Sequence, residues 1–134
     1  MNNLQGQISN IQVNTNLSLV SVKINENIEL KAIVVETPKT ASYLQLKNPV
    51  KVLFKETEVI LATNDVSNIG LLNKIKGTIL TIEKGILLSK ITIDTEIGEI
   101  ISIIATEAIN NLNLTNHKEV VVMIKINEIM LSHD

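Results

Sequence analysis

Two tandem five-stranded all-β barrels, each with one short helix, are the architecture that the sequence predicts. Three observations predict it: the chain repeats itself, each copy alternates apolar and polar residues with a period of two, and a polar stretch parts the copies. At an offset of 71, Leu4-Gln5-Gly6-Gln7-Ile8 falls on Ile75-Lys76-Gly77-Thr78-Ile79, and Leu17-Ser18-Leu19-Val20-Ser21-Val22 falls on Leu88-Ser89-Lys90-Ile91-Thr92-Ile93. One residue then drops out. At an offset of 70, Glu29-Leu30-Lys31-Ala32-Ile33-Val34 meets Glu99-Ile100-Ile101-Ser102-Ile103-Ile104, and residues 50–61 meet residues 120–131. The repeat places one unit at residues 1–64 and a second at 70–134, with a linker at 65–69 that overlaps the polar stretch Thr63–Asn68.

Each element follows from local pattern. β-Branched residues alternating with polar ones, as in Ser21-Val22-Lys23-Ile24 and Lys90-Ile91-Thr92-Ile93-Asp94, read as strand. In the first copy strands are expected over residues 4–14, 17–24, 28–35, 49–55 and 58–62. In the second they are expected over 75–84, 87–94, 98–105, 119–126 and 128–132. Asn14 and Gly85 share a repeat position at the first turn and both tolerate positive φ, while Pro38 and Pro49 are expected outside the strands. Between strands three and four each copy has room for one short helix, at Thr40–Leu44 and Thr106–Leu112. Five strands and a helix in so few residues suggest a partly open barrel of the oligonucleotide/oligosaccharide-binding type. A barrel this small buries little, so two together, with a second chain, are more plausible than one alone.

Composition narrows the function. Of 134 residues 45% are hydrophobic and 19% charged, enough aliphatic surface for a core and too little charge for disorder. The twelve basic residues are all Lys, the net charge is −2, and Tyr43 and Phe54 are the only aromatic residues. A nucleic-acid surface built on basic patches and stacking rings is therefore disfavoured. The absence of Cys excludes disulfides and thiolate metal sites and fits a cytoplasmic protein. No apolar run long enough for a secretion signal or a membrane span occurs, so no membrane partner is expected.

Nothing in the residue spacing supplies a nucleophile, a general base or a metal set, so the chain is not expected to be an enzyme. His117 lies in a polar turn and His133 beside the C-terminus, both read as solvated, and Glu58 and Glu128 read as surface residues beside a Lys. Lys55 and Lys125 are more informative. They interrupt the aliphatic runs Val50–Phe54 and Val120–Ile124 at corresponding points and are followed by Thr57 and Asn127. A Lys at a strand end beside hydroxyl, amide and backbone N–H donors can hold an oxyanion; the ordinary alternative is a lysine that reaches to water.

The order of these motifs resembles the molbindin family, the small TOBE or Mop domains that bind molybdate and tungstate, especially in its tandem form. Asn2-Asn3-Leu4-Gln5-Gly6-Gln7-Ile8 and Asn73-Lys74-Ile75-Lys76-Gly77-Thr78-Ile79 are similar to the end of the family's opening motif, Ser-Ala-Arg-Asn leading to Gly-x-Val/Ile. Glu83-Lys84-Gly85 resembles its Lys-Gly turn, and Leu44-Gln45-Leu46 and Leu112-Asn113-Leu114 its Leu-Gly-Leu turn. Phe54-Lys55-Glu56-Thr57 and Ile124-Lys125-Ile126-Asn127 resemble its Ile-Lys-Ala segment. The resemblance implies an OB-like TOBE/Mop fold and a bound tetrahedral oxyanion, molybdate or tungstate, held where units or subunits meet. It implies oxyanion contacts from Lys55 and Lys125, with Thr57 and Asn127 beside them and Asn2 and Asn73 from the opening motif. From the family's Thr-x-x-Ser helix start it implies Thr37 and Thr40 if the Leu-Gly-Leu turn sets the alignment. The internal repeat instead places Val35 and Pro38 there, and in the second copy Ala105 and Ala108, with Thr106 one residue away. The family's opening Ser and Arg have no counterpart before Asn2, and Gly70-Leu71-Leu72-Asn73 replaces them in the second copy. Lower affinity or one silent class of site is therefore expected. The function implied is storage, homeostasis or sensing of molybdate or tungstate by a homo-oligomer, a dimer or a trimer. The alternatives are a structural oligomerisation domain of a larger regulator or transporter whose anion sites have degenerated, and a barrel that binds single-stranded nucleic acid.

Overall fold

The computed structural model describes residues 1–64 and 66–133. Ten strands form two five-stranded sheets, in agreement with the predicted all-β class. The first repeat contributes β1 (Asn2–Asn14), β2 (Leu17–Lys23), β3 (Glu29–Val34), β4 (Pro49–Phe54) and β5 (Ile60–Ala62). The second contributes β6 (Asn73–Lys84), β7 (Leu88–Thr95), β8 (Gly98–Ala105), the helix α1 (Thr106–Leu112), β9 (Glu119–Ile124) and β10 (Met130–Ser132).

The long opening strand makes each barrel. Residues 2–7 of β1 pair with β4 and residues 7–14 with β2, and a bulge between Ile8 and Asn10 bends the strand where it changes partners. β6 has the same bulge at the same repeat position, between Ile79 and Thr81. An extra residue on one strand raises twist and bends it, which lets one strand serve two partners around a small barrel. Gly6 and Gly77 sit on these strands because nothing larger fits: a Cβ on Gly6 would lie 2.6 Å from the Lys23 carbonyl oxygen, and one on Gly77 2.5 Å from Ile93 Cγ2. The inward residues of both sheets, among them Ile8, Val20, Phe54, Ile79, Ile91 and Ile124, join in one buried aliphatic cluster.

The fifth strands depart from the expected arrangement. The sheet orders are β10-β4-β1-β2-β3 and β5-β9-β6-β7-β8, so each repeat gives its last strand to the other repeat's sheet. β4 and β9 stop at Phe54 and Ile124, and one turn of 3-10 helix, Glu56–Glu58 or Ile126–Glu128, replaces the predicted start of the next strand. That turn carries the chain across: Glu56–Glu58 packs on β8 and Ile126–Glu128 on β3. Two buried amides fasten the same crossing. Asn73 accepts from Lys31 N–H (2.7 Å) and donates to Lys31 C=O (2.9 Å), while Asn2 accepts from Ile101 N–H (2.8 Å) and donates to Ile101 C=O (2.9 Å). Each amide stands where another strand would pair with the outer edge of β3 or β8.

Three smaller expectations need correction. The helix predicted at Thr40–Leu44 is absent, and turns occupy that stretch. Pro38 occupies the place of Ala108 in α1 and disfavours helical backbone at Thr37, and Thr37 and Thr40 then hydrogen-bond locally instead. Pro49 is the first residue of β4 rather than outside it, a position proline tolerates. In the first hairpin the positive φ belongs to Thr15 (60°), not Asn14. Of the expected linker, Asp65 lies outside the described residues; Val66 beside it accepts from Lys74 Nζ at 2.9 Å.

Candidate functional site

The predicted lysines occupy equivalent turns. Lys55 and Lys125 are exposed, each preceding its 3-10 turn, with φ/ψ of −70°/146° and −70°/148°. Glu58 N–H donates to Lys55 C=O and Glu128 N–H to Lys125 C=O, both at 3.0 Å, so the turn is built identically twice. Among the described residues neither ammonium group has an ion-pair or hydrogen-bond partner. Thr57 and Asn127 are exposed on the same turns. Thr57 faces a depression of about 490 Å³ whose walls come from both repeats: Ile60 and Leu61 from the first, and Leu88, Ile103, Ala105 and Ala108 from the second. The strand exchange therefore sets the lysine turn of one repeat beside the β8–α1 corner of the other. The turn Ile126–Glu128 stands correspondingly against β3.

The remaining predicted residues do other work. Thr106 is buried, and its hydroxyl donates to Gly85 C=O (2.9 Å) and lies 2.7 Å from Ser89 Oγ. Ser89 Oγ in turn accepts from Gly85 N–H at 3.3 Å, which closes a ring of bonds that pins the β6–β7 hairpin to the start of α1. Strand register also decides the alignment at Thr37 and Thr40. Ser18 pairs with Val34 as Ser89 pairs with Ile104, and Lys47 and His117 repeat the same left-handed turn at φ 69° and 72°. The offset of 70 thus holds on both sides of the loop. Val35 and Pro38, not Thr37 and Thr40, stand where Ala105 and Ala108 do. Thr40 Oγ1 accepts from Thr37 N–H at 2.9 Å and Thr37 Oγ1 accepts from Lys39 N–H at 3.3 Å, so both hydroxyls shape the loop. Asn2 and Asn73, 6% and 0% exposed, are the clamps described above. Lys55, Thr57, Lys125 and Asn127 are exposed on the two turns, whereas Thr40, though exposed, has its hydroxyl engaged by Thr37.

One cluster was missed. Tyr43 O–H donates to Glu36 Oε1 at 2.6 Å, and its ring stacks on His133, with centroids 4.2 Å apart and planes 7° from parallel. Burial first, then the Glu36 hydrogen bond and charge, pushes the Tyr43 phenol well above its usual range, so it stays a neutral donor at ordinary pH. No sequence signal joins residues this far apart, because the contact depends on the exchange of β10.

Comparison with known proteins agrees with this architecture. The TOBE domain family matches residues 71–131. The fold of the whole chain is similar to that of the cytoplasmic molybdate-binding protein ModG, crystallised with molybdate bound: TM-score 0.91 at 24% identity, over 99% of this chain and 96% of that one. MopII from Clostridium pasteurianum aligns over 43% of this chain and 88% of its own, with 22% identity and a TM-score of 0.42. No curated protein matches the sequence significantly. Among the described residues, no helix is long and apolar enough to cross a membrane, and no group of three His, Cys, Asp or Glu could hold a metal cation.

Proposed function

We propose that both repeats of this chain are TOBE domains and that it is a cytoplasmic, non-enzymatic binder of a tetrahedral oxyanion, molybdate or tungstate, with Lys55 and Lys125 as its charged contacts. The observation that carries the reading is the pair of exposed, unpaired lysines on turns of identical backbone geometry, each delivered by strand exchange to a junction between repeats. The similarity of the whole fold to that of ModG, which binds molybdate, supports it. Lys supplies charge and three donors, Thr57 or Asn127 adds a neutral donor, and the apolar walls Ile60, Leu88 and Ile103 would exclude water once covered, which would strengthen each contact.

The depression is open, and the side chains around it are apolar in both repeats: Ile60, Leu88 and Ala105 at one junction, Met130, Leu17 and Val35 at the other, all exposed. A second copy of the chain covering these patches would close the site, in a dimer or trimer. Anion and assembly then stabilise each other by mass action, the linkage that a store or a sensor needs. Wild-type protein equilibrated with molybdate and desalted should retain molybdenum by elemental analysis, and Lys55→Ala and Lys125→Ala should each lower the amount retained. Unchanged retention in both variants would remove the lysines from the site.

A second reading, a structural oligomerisation domain with degenerate anion sites, is favoured by one observation. The positions that would bring hydroxyls to the anion hold Ala105, Ala108, Val35 and Pro38. It predicts no retained molybdenum in the wild-type protein.

A further inference from the structure

We infer that Tyr43 and His133 form a clasp that fastens the exchanged C-terminal strand to the first barrel and so positions the Lys125 turn, a device that the Lys55 turn lacks. β10 is three residues long, lies at a sheet edge and pairs only with residues 51–53 of β4. A three-residue strand at a sheet edge frays unless something beyond its backbone bonds holds it. His133 follows it directly and lies flat on Tyr43.

The ring it lands on is fixed at both ends. Tyr43 O–H donates to Glu36, and Tyr43 C=O accepts from Asn48 Nδ2 at 2.8 Å. Glu36 is anchored in turn, its C=O accepting from Ser18 Oγ at 2.6 Å. Tyr43 is therefore a platform rigid before His133 arrives, and stacking there costs little ordering of the loop. Residues 126–128, which carry Asn127 and follow Lys125, connect to β10 through a single residue, Ile129. Holding β10 holds that turn.

The repeat makes the asymmetry visible. The position of Tyr43 is taken by Asn113 in the second repeat, where it ends α1 in a left-handed conformation, and the position of His133 by Thr63 in the first. No stack is available to β5. Tyr43 and His133 are thus positioning residues for one of the two lysine turns.

The test is amide hydrogen exchange on the full chain at one pH, for the wild-type protein, His133→Ala, His133→Phe and Tyr43→Leu. Loss of the stack in His133→Ala and Tyr43→Leu should lower protection of β10 and the 126–128 turn by roughly 2- to 10-fold and leave β5 and the 56–58 turn unchanged. His133→Phe, which keeps a flat ring, should restore it. Unchanged β10 protection in His133→Ala, equal losses in β5 and β10, or no rescue by Phe would overturn the clasp. Its effect on Lys125 rests on the oxyanion reading, and molybdate titration of the same variants tests that link. A wild-type protein that binds no molybdate would sink the oxyanion reading, while the exchange data would still decide the clasp.

Discussion

Removing the Asn73 amide should be among the costliest single polar deletions in this fold. Asn73 is fully buried and satisfies both the N–H and the C=O of Lys31, at 2.7 and 2.9 Å, on the outer edge of β3. In Asn73→Ala two hydrogen bonds vanish, at about 0.5–1.5 kcal/mol net each, and two backbone groups at the junction lose their partners, at about 1–3 kcal/mol each where water cannot reach. Partial access of water to the half-buried Lys31 keeps the sum to roughly 2–4 kcal/mol. For a chain of this size that is a fall in Tm of about 6–15 °C. Urea unfolding followed by far-ultraviolet circular dichroism measures it, with the midpoint moving and the slope unchanged. Asn73→Asp sharpens the test: it keeps the acceptor for Lys31 N–H but sets a carboxylate oxygen against Lys31 C=O, so it should be at least as damaging at neutral pH. Asn2→Ala removes the equivalent clamp on Ile101 and should cost a similar amount. A loss below about 0.5 kcal/mol in Asn73→Ala would refute the claim that this amide joins the repeats.

Other consequences follow from the same contacts. Gly6→Ala puts a methyl 2.6 Å from a backbone carbonyl and should destabilise by about 1–3 kcal/mol in the same unfolding assay. Ser89→Ala opens the ring of bonds through Gly85 and Thr106 and should cost about 1–3 kcal/mol, with raised hydrogen exchange at the β6–β7 hairpin. Tyr43 is the only tyrosine and there is no tryptophan, so its ionisation can be followed alone by absorbance. Because the fold raises its pKa, the neutral phenol contributes stability that is fully present below pH ~10, the unfolded value, and is lost as pH rises beyond it. The absorbance change should therefore begin well above pH ~10 and coincide with unfolding; a normal titration in folded protein would contradict the buried Glu36 bond. Lys55→Ala and Lys125→Ala, both at exposed positions, should leave the unfolding midpoint within about 0.5 kcal/mol of wild type while reducing anion binding.

What the sequence revealed was whatever repeats or alternates. The offset between Leu4–Ile8 and Ile75–Ile79 and the period-two strands predicted the paired sheets, and the fall from aliphatic run to Lys55 and Lys125 marked where β4 and β9 end, but not the 3-10 turns that follow. The exchange of β5 and β10 was hidden, because a three-residue strand has the same pattern whichever sheet it joins. The helix at Thr40–Leu44 gives way to a loop in which Pro38 keeps Thr37 from helical backbone and the Thr37 and Thr40 hydroxyls bond locally. The polar candidates misled for a common reason. Asn2, Asn73 and Thr106 look like ligand donors in sequence, and only geometry reveals that backbone groups of another segment have already engaged them. His133 is exposed, as expected, but its stack on Tyr43 was hidden because Tyr43 belongs to the other repeat.

The most direct test of the oxyanion account is isothermal titration of anion-free protein with molybdate, tungstate and sulfate in parallel, with oligomer mass recorded before and after. The account predicts heat from molybdate or tungstate and none from sulfate, at a Kd near or below the micromolar range, about −8 kcal/mol. It also predicts a weakened response in Lys55→Ala and Lys125→Ala. No heat from any of the three anions, with the oligomer unchanged, would contradict it and leave an assembly module without a ligand.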